Sequence, residues 1–428
     1  MSLVESLHKD WSEKYADLPF EAYLKQDLLR CGMGFHKEAM DSDFAGKYKT
    51  KDYFIFSFDL VPVDTMKEGE NWKAPEEIRL SGGPHSLQKT VISVRIQPAS
   101  PYQVTILDGV IRLLYNNDYI CDVEYPPIPE YYNQKYSMPK PIGEIAPVIE
   151  WGYLIYLTVF RHCQYFGKDE ECQFCDINHN WKQQKKSGRP YTGIKPVEVV
   201  LEALSGINEF DTVAQAYTLT GGSVVTNLQG KDETEFYGQY AKAINEKYPG
   251  RWISKVVTQA FELDNVKKLK DYGVDIYHPN YEVWDSKLFG VYCPGKARYV
   301  GRDEWMKRII DSTSVFGARN VIPNFVGGVE MAGPHGIKDI DKAVESTSEG
   351  LDYFMSNGVT PRFTTWCPEP YTVLGNESSP PLEYYMKLLR NYRRIMEKYK
   401  LPAPPGYGPA GVGKAVFSVS AFMDVLSD

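Results

Sequence analysis

Three of the seven cysteines in this 428-residue chain crowd into residues 161–178, RHCQYFGKDEECQFCDIN, as Cys163, Cys172 and Cys175. Thiolates are soft ligands suited to iron–sulfur clusters or zinc, and a tight Cys-x-x-Cys pair can wrap the corner of a cluster. Three thiolates leave one iron of a four-iron cluster without a protein ligand, so the count itself points to catalysis. A closed zinc site wants four nitrogen or sulfur ligands. His162 or His179 stands close enough in sequence to be the fourth. A zinc-binding barrel with a binding or hydrolytic role is therefore the competing reading.

Such a loop needs elements to hold it. From about residue 153 onward, short β-branched apolar runs alternate with amphipathic segments, the pattern of repeated βα units on a parallel sheet. The spacing predicts strands over 153–160, 212–220, 252–259, 275–278, 320–326 and 362–366. Helices are expected to begin near Pro196, Asp232, Asp264, Asp303, Ile340 and Pro381, and Gly273, Gly317 and Gly358 stand where three of them should stop. Six such units with right-handed crossovers curl into an α/β fold, a partial (β/α)6 barrel of the TIM type, with chemistry in the loops at the C-terminal strand ends. The cysteine loop comes directly after the first of these strands.

Residues 1–150 read differently. After a helical start, alternating segments at 90–96, 103–107 and 110–115 are separated by the turn signals Asp108, Gly109 and Asn116, Asn117, Asp118. The expected organisation is a β-rich accessory domain over 1–150, the barrel over 151–380, and a C-terminal helix and tail over 381–428 packing on the barrel. The accessory part is expected to act as a lid.

The three-cysteine loop after the first strand of a partial barrel resembles the radical S-adenosylmethionine superfamily, in its biotin-synthase-like or elongator-acetyltransferase-like branches. The Cys-x8-Cys-x2-Cys spacing is longer than the superfamily's commonest one. The resemblance covers about residues 150–380. It implies that Cys163, Cys172 and Cys175 hold a [4Fe-4S] cluster and that Phe174 shields it and flanks the adenine of S-adenosylmethionine. By the same resemblance, the backbone of Gly221 and Gly222 would meet the methionine ammonium, with Ser223 where the family often has Glu, and Glu282 in Asn280–Trp284 would meet the ribose hydroxyls. Gly327, Val329 and Glu330 match the adenine-flanking strand and its Gly-x-x-Glu ending, although Pro323 replaces the usual opening glycine. The implied activity is reductive cleavage of S-adenosylmethionine to a 5′-deoxyadenosyl radical that takes hydrogen from a small organic substrate. A flavodoxin or ferredoxin would be the electron donor, and the enzyme would be oxygen-sensitive.

Residues 291–302, VYCPGKARYVGR, read as a loop whose Arg298 or Lys296 could hold the methionine carboxylate or an acidic substrate. Cys367, Glu369 and Tyr371 lie past the sixth strand, Cys367 as a hydrogen-atom donor and Glu369 and Tyr371 as a proton donor or substrate contact. Cys293 and Cys367 could also ligate an auxiliary cluster, but with no Cys-x-x-Cys pair elsewhere one cluster is expected.

A net charge of −8 and a pI near 5.6 argue against a general nucleic-acid or membrane-surface binder. A second reading within the class, modification of a peptide or RNA, lacks a basic tail or an acetyltransferase-like segment. The opening residues carry early acids and no continuous apolar core, so a cytoplasmic location is expected. The longest apolar stretch, 148–160, is interrupted by Glu150 and is too short to span a bilayer.

Overall fold

The structure, a computed structural model, describes residues 3–41, 47–51, 59–62, 73–138, 140–186, 193–412 and 421–426. Its first sheet contains β1 (Gly34–Phe35), β2 (Glu77–Gly82), β3 (Leu87–Ser93), β4 (Tyr102–Leu107), β5 (Val110–Tyr115) and β6 (Asp118–Glu124), ordered β1-β4-β5-β6-β2-β3. All its pairings are antiparallel except β1 with β4. The β4–β5 hairpin turns through Asp108 and Gly109 at φ +54° and +73°, and β5–β6 through Asn116 and Asn117 at +47° and +72°. These are the left-handed pairs that a two-residue hairpin requires, at residues that tolerate them.

The second sheet begins with β7 (Val148–Ile149), antiparallel to β8 (Leu154–Phe160), and continues in parallel through β9 (Ala216–Gly221), β10 (Ile253–Thr258) and β11 (Ile276–Pro279). A parallel pair, β12 (Asn324–Gly327) and β13 (Arg362–Thr365), carries the arc on. Single bridges, Tyr277 to Val321 and Glu282 to Phe325, link it to the β11 side. The connecting helices are Val197–Phe210, Glu233–Lys247, Leu263–Asp271, Arg302–Phe316 and Ile340–Ser356, with Leu382–Tyr399 after β13. Helix Glu233–Lys247 starts at a full capping box, Asp232 with Glu235. The fifth begins at Ile340, as expected, with Asp339 as its cap, and Gly317 ends the fourth at φ +77°. Among the described residues the arc does not close, and β8 and β13 do not pair.

Residues 291–302 differ from the loop expected there. Two short helices, Ser286–Tyr292 and Pro294–Tyr299, fill the stretch. Asp285 caps the first through the Leu288 N–H (2.8 Å), and Pro294 opens the second, where a missing N–H costs nothing.

The first sheet and its flanking segments meet both free edges of the arc. Arg95, fully buried, donates to the carbonyls of Thr365 (2.7 Å) and Trp366 (3.4 Å) at the end of β13, and to that of Leu29. On the other edge Glu77 accepts the N–H groups of Glu150 (3.0 Å) and Trp151 (2.6 Å), and Lys49 donates to the Val148 carbonyl. The segment read as a lid is therefore bound along the open seam of the arc, because unpaired edge carbonyls and amides need buried partners.

Removing the Arg95 guanidinium while keeping its bulk tests this seam. Arg95→Met is expected to lower stability in chemical denaturation by roughly 1–3 kcal/mol, since buried carbonyls lose their donor. Lys307→Met, at an exposed i,i+4 pair with Asp311, should stay within about 0.5 kcal/mol.

Candidate active site

Inward-facing residues of the strands alternate, as a pleat demands. Leu154 and Tyr156, Thr218 and Thr220, Lys255 and Val257, His278, Asn324 and Val326, and Arg362 and Thr364 all line one cavity of about 220 Å³. Most of these positions are polar, which is the opposite of a packed barrel core. At the C-terminal strand ends the lining is completed by Phe174, Cys175, Gly221, Glu282, Cys367 and Glu369.

The cysteine loop is anchored at several points. Asn178 accepts the Cys163 N–H (2.8 Å) and donates to the Tyr165 carbonyl (3.1 Å) and the Glu171 carboxylate (2.9 Å), so one amide holds both arms of the loop. Gln164 donates its N–H to the Ser223 carbonyl (2.9 Å) and accepts from Val225 (2.7 Å) and Thr226 (3.0 Å). Tyr165 hydrogen-bonds Gln259, whose side chain donates to Glu233 (2.6 Å). Burial pushes the Glu233 carboxyl up to about 7. The Cys-x-x-Cys turn closes through the Cys175 N–H to the Cys172 carbonyl (3.1 Å).

All three thiols are partly buried and near enough to act on one another electrostatically. Burial pushes the Cys163 thiol up to about 12 and holds the Cys175 thiol well above the usual thiol range. Cys172 moves the other way, held down by a hydrogen bond from the buried Cys293 thiol and by the Lys296 ammonium. Among the described residues no three His, Cys, Asp or Glu side chains gather as a single metal ion requires. The two histidines that could complete a zinc site are engaged as rings: His162 beside Trp181 (4.7 Å between centroids) and His179 stacked on Tyr371 (4.0 Å).

Gly222 illustrates how closely the next strand end approaches. A Cβ there would lie 2.1 Å from the His162 carbonyl oxygen and 2.4 Å from the Cys163 Cα, so only glycine lets the cysteine loop lie against the β9 turn. Its own carbonyl accepts from Tyr237 (2.7 Å).

Glu282, at φ +84°, is fixed by a buried ion pair with Lys296 (2.5 Å), whose ammonium also lies 4.7 Å from the Trp305 ring. Arg298 is at the surface, paired with Glu170 (3.2 Å) and outside the lining. On a helix, two residues on from Lys296 faces another way. Tyr371 is likewise outside the lining.

The β12 end also departs from the expected contacts. The Gly327 carbonyl accepts from the Trp366 N–H (2.9 Å), and Val329 is buried in an apolar cluster with Tyr292, Cys293 and Trp366. Gly328 turns the chain at φ +99°, and Glu330 folds back to accept its N–H (2.8 Å) and the hydroxyls of Thr347 and Tyr384. Val326 is the residue of this stretch that faces the cavity.

Sequence reasoning missed Asn178, Gln164, Lys255, Arg362 and Glu150. Asn178 lies three residues past Cys175 in the motif itself. Gln164 stands directly after Cys163 in the same motif, Lys255 and Arg362 carry the period-two signal of polar residues on a buried strand, and Glu150 is a lone charge in an apolar run.

No family model matches the chain, and no curated protein matches it. Solved structures are similar over part of it. Methylornithine synthase (PylB) is 13% identical over 59% of this chain and 65% of its own, at a TM-score of 0.36. The FeFe-hydrogenase maturase HydG from Carboxydothermus hydrogenoformans is 13% identical over 60% and 54%, at 0.40. The cobalamin-dependent S-adenosylmethionine radical enzyme OxsB is 14% identical over 69% and 43%, at 0.31. Overlaps this loose carry no argument about function. The chain spans between 43% and 65% of these three proteins. No described helix is long and apolar enough to cross a membrane.

Gly222→Ala is expected to destabilise the protein by roughly 1–3 kcal/mol, because the methyl group has backbone on one side and cannot be accommodated by a rotamer change. Gly290→Ala, inside a helix with open space around its Cα, should be neutral or stabilising by about 0.5–1 kcal/mol. Thermal melts of the two variants beside the parent read the difference.

Proposed function

We propose that this chain is a radical S-adenosylmethionine enzyme acting on a small organic molecule. The observation that carries the reading is the cysteine loop: three mutually interacting thiols at the mouth of a polar cavity, not gathered on one point, with Cys175 and Phe174 in the lining. Three cysteine thiolates on one loop beside a cavity fit a four-iron cluster that keeps one iron open.

In this reading Cys163, Cys172 and Cys175 hold a [4Fe-4S] cluster, leaving one iron for S-adenosylmethionine. The bound pair would supply one-electron reduction of the sulfonium, the source of a carbon radical able to take hydrogen from a substrate.

The chain's own residues do the rest. Phe174 covers the loop from the cavity side and offers a flat face to an adenine. The backbone around Gly221 offers carbonyls to an ammonium. Glu282 is an acceptor for ribose hydroxyls, held in place by Lys296. Cys367 and Glu369 face the same space from the end of β13, where a thiol hydrogen or a carboxyl could meet the substrate. Residues 1–150, as an accessory unit along the seam, would keep water and oxygen out of the barrel residues 151–380, and 381–428 would back the last strand. A flavodoxin- or ferredoxin-like protein is the proposed electron source, and neither a nucleic acid nor a membrane partner is invoked.

Anaerobic reconstitution with iron and sulfide, then addition of S-adenosylmethionine and dithionite, tests the reading. The intact chain should carry about four irons and release 5′-deoxyadenosine. The variant with Cys163, Cys172 and Cys175 all replaced by Ala should do neither. Release from both proteins, or none from iron-loaded parent, would sink the proposal, and one tightly held zinc in a colourless protein would restore the zinc reading.

A further inference from the structure

Three buried side chains outside the cavity lining, Glu233, Gln259 and Tyr165, form one hydrogen-bonded line. Glu233 stands in the first turn of helix Glu233–Lys247 and is 4% exposed. Its carboxylate accepts the backbone N–H groups of Val224 (2.6 Å) and Gln259 (3.0 Å) and the side-chain amide of Gln259 (2.6 Å). The amide oxygen of Gln259 in turn accepts from the Tyr165 hydroxyl. Tyr165 lies two residues past Cys163, and its backbone carbonyl is one of the groups that Asn178 holds (3.1 Å). A carboxyl that served only to cap the helix would need none of these partners, because Asp232 and Glu235 already close the capping box.

A carboxylate only accepts. Gln259 must therefore turn its NH2 toward Glu233, which leaves its oxygen for Tyr165 and makes the Tyr165 hydroxyl a donor. The orientation of each group follows from the acceptor at one end, and a fully satisfied buried network of this kind is rigid. The Val224 N–H belongs to the turn after β9, whose neighbouring groups face the cysteine loop. The Ser223 carbonyl accepts from the Gln164 N–H (2.9 Å), and Val225 and Thr226 donate to the Gln164 side chain (2.7 and 3.0 Å). Glu233 thus holds the turn through Val224 while Gln164 ties the same turn to Cys163. Tyr237, four residues on from Glu233 and so on the same helix face, takes the Gly222 carbonyl (2.7 Å). The path closes on itself, running from Glu233 to Val224, across to Gln164, along the loop to Tyr165, and back through Gln259.

We propose that Glu233, acting through Gln259 and Tyr165, is a positioning residue that sets the register of the cysteine loop against the β9 turn. Those two pieces are the ones to which the radical reading assigns the cluster and the methionine end of S-adenosylmethionine, so the consequence for cofactor binding rests on that reading. None of the three side chains lines the cavity. They act by holding Cys163 and Gly221 in fixed relation, and the backbone contact at Gly222, where a Cβ would lie 2.4 Å from the Cys163 Cα, leaves no slack to absorb a shift. Cutting the line is expected to loosen the loop and weaken S-adenosylmethionine binding while the three thiols remain to carry iron. Tyr240 supplies the comparison: it is buried on the same helix, and its hydroxyl donates to the Lys195 carbonyl (2.5 Å) rather than to any group of the cysteine loop.

Three variants of the full chain test it: Glu233→Gln, Tyr165→Phe, which spares the three N–H contacts of Glu233, and Tyr240→Phe as the control. Hydrogen exchange is followed by mass spectrometry in metal-free and iron-loaded protein, and S-adenosylmethionine binding by anaerobic titration of the iron-loaded samples. Glu233→Gln and Tyr165→Phe should exchange about threefold or more faster than the control in peptides covering residues 161–178, as local opening of the loop requires. At parental iron content they should also weaken S-adenosylmethionine binding about fivefold or more, the effect of losing one buried hydrogen bond. Tyr240→Phe should melt as low as Tyr165→Phe yet match the parent in both readouts. If Glu233→Gln fails to fold, Tyr165→Phe carries the test. Parental exchange in Tyr165→Phe, faster exchange with parental affinity, or equal shifts in Tyr240→Phe would each overturn the positioning role. A parent that holds no iron or releases no 5′-deoxyadenosine defeats the radical reading alone, and exchange in the metal-free chain then decides the role of Glu233 by itself.

Discussion

An arc of parallel strands that stops short of closure has two edges, and every inward backbone group on them needs a partner. The rest of this structure depends on how that need is met. Arg95 reaches the last carbonyls of β13, while Glu77 and Lys49 reach the β7–β8 edge. The donors and acceptors come from the first sheet and its flanking segments, so that part of the chain and the barrel share one hydrogen-bond network.

The interior of the arc is polar. Tyr156, Thr218, Lys255, His278, Asn324 and Arg362 occupy positions that in a filled barrel would hold branched aliphatic side chains. Charged groups in such a place are tolerated when they oppose one another, and burial shifts the Glu150 carboxyl up and the Lys255 ammonium down while each offsets part of the other's shift. The apolar packing is moved outward, to the helices and to the cluster of Tyr292, Cys293, Val329 and Trp366 that backs Cys172. The two ends of the cavity therefore differ, with thiols, a phenyl ring and glycine backbone at one and opposed charges at the other.

The positions expected from motif resemblance fared according to how local their geometry is. Gly221, Glu282, Cys367 and Glu369 line the cavity because each sits at or shortly past a strand end, and strand ends were readable from β-branched runs, whereas Phe174 reaches it through the path of the cysteine loop. Arg298 and Tyr371 lie outside the lining because helix phase and loop path, not sequence distance from a strand, set where their side chains go. Glu330 carries a motif-like spacing but serves the turn at Gly328.

The sequence by itself determined the cysteine loop and its place after the first parallel strand, the order and approximate bounds of the βα units, and the turns of the N-terminal hairpins. These depend on side-chain period, capping and left-handed tolerance, which act between near neighbours along the chain. Only the tertiary structure decided that Lys49, Glu77 and Arg95 line the seam, that Asn178 ties the two arms of the cysteine loop, and that Glu150 lines the same cavity as Lys255 and Arg362. Those meetings depend on sheet curvature and on which edges are left open, quantities set by the whole arc at once, so a lone charge in an apolar run gives no sign of its partners until the strands are assembled.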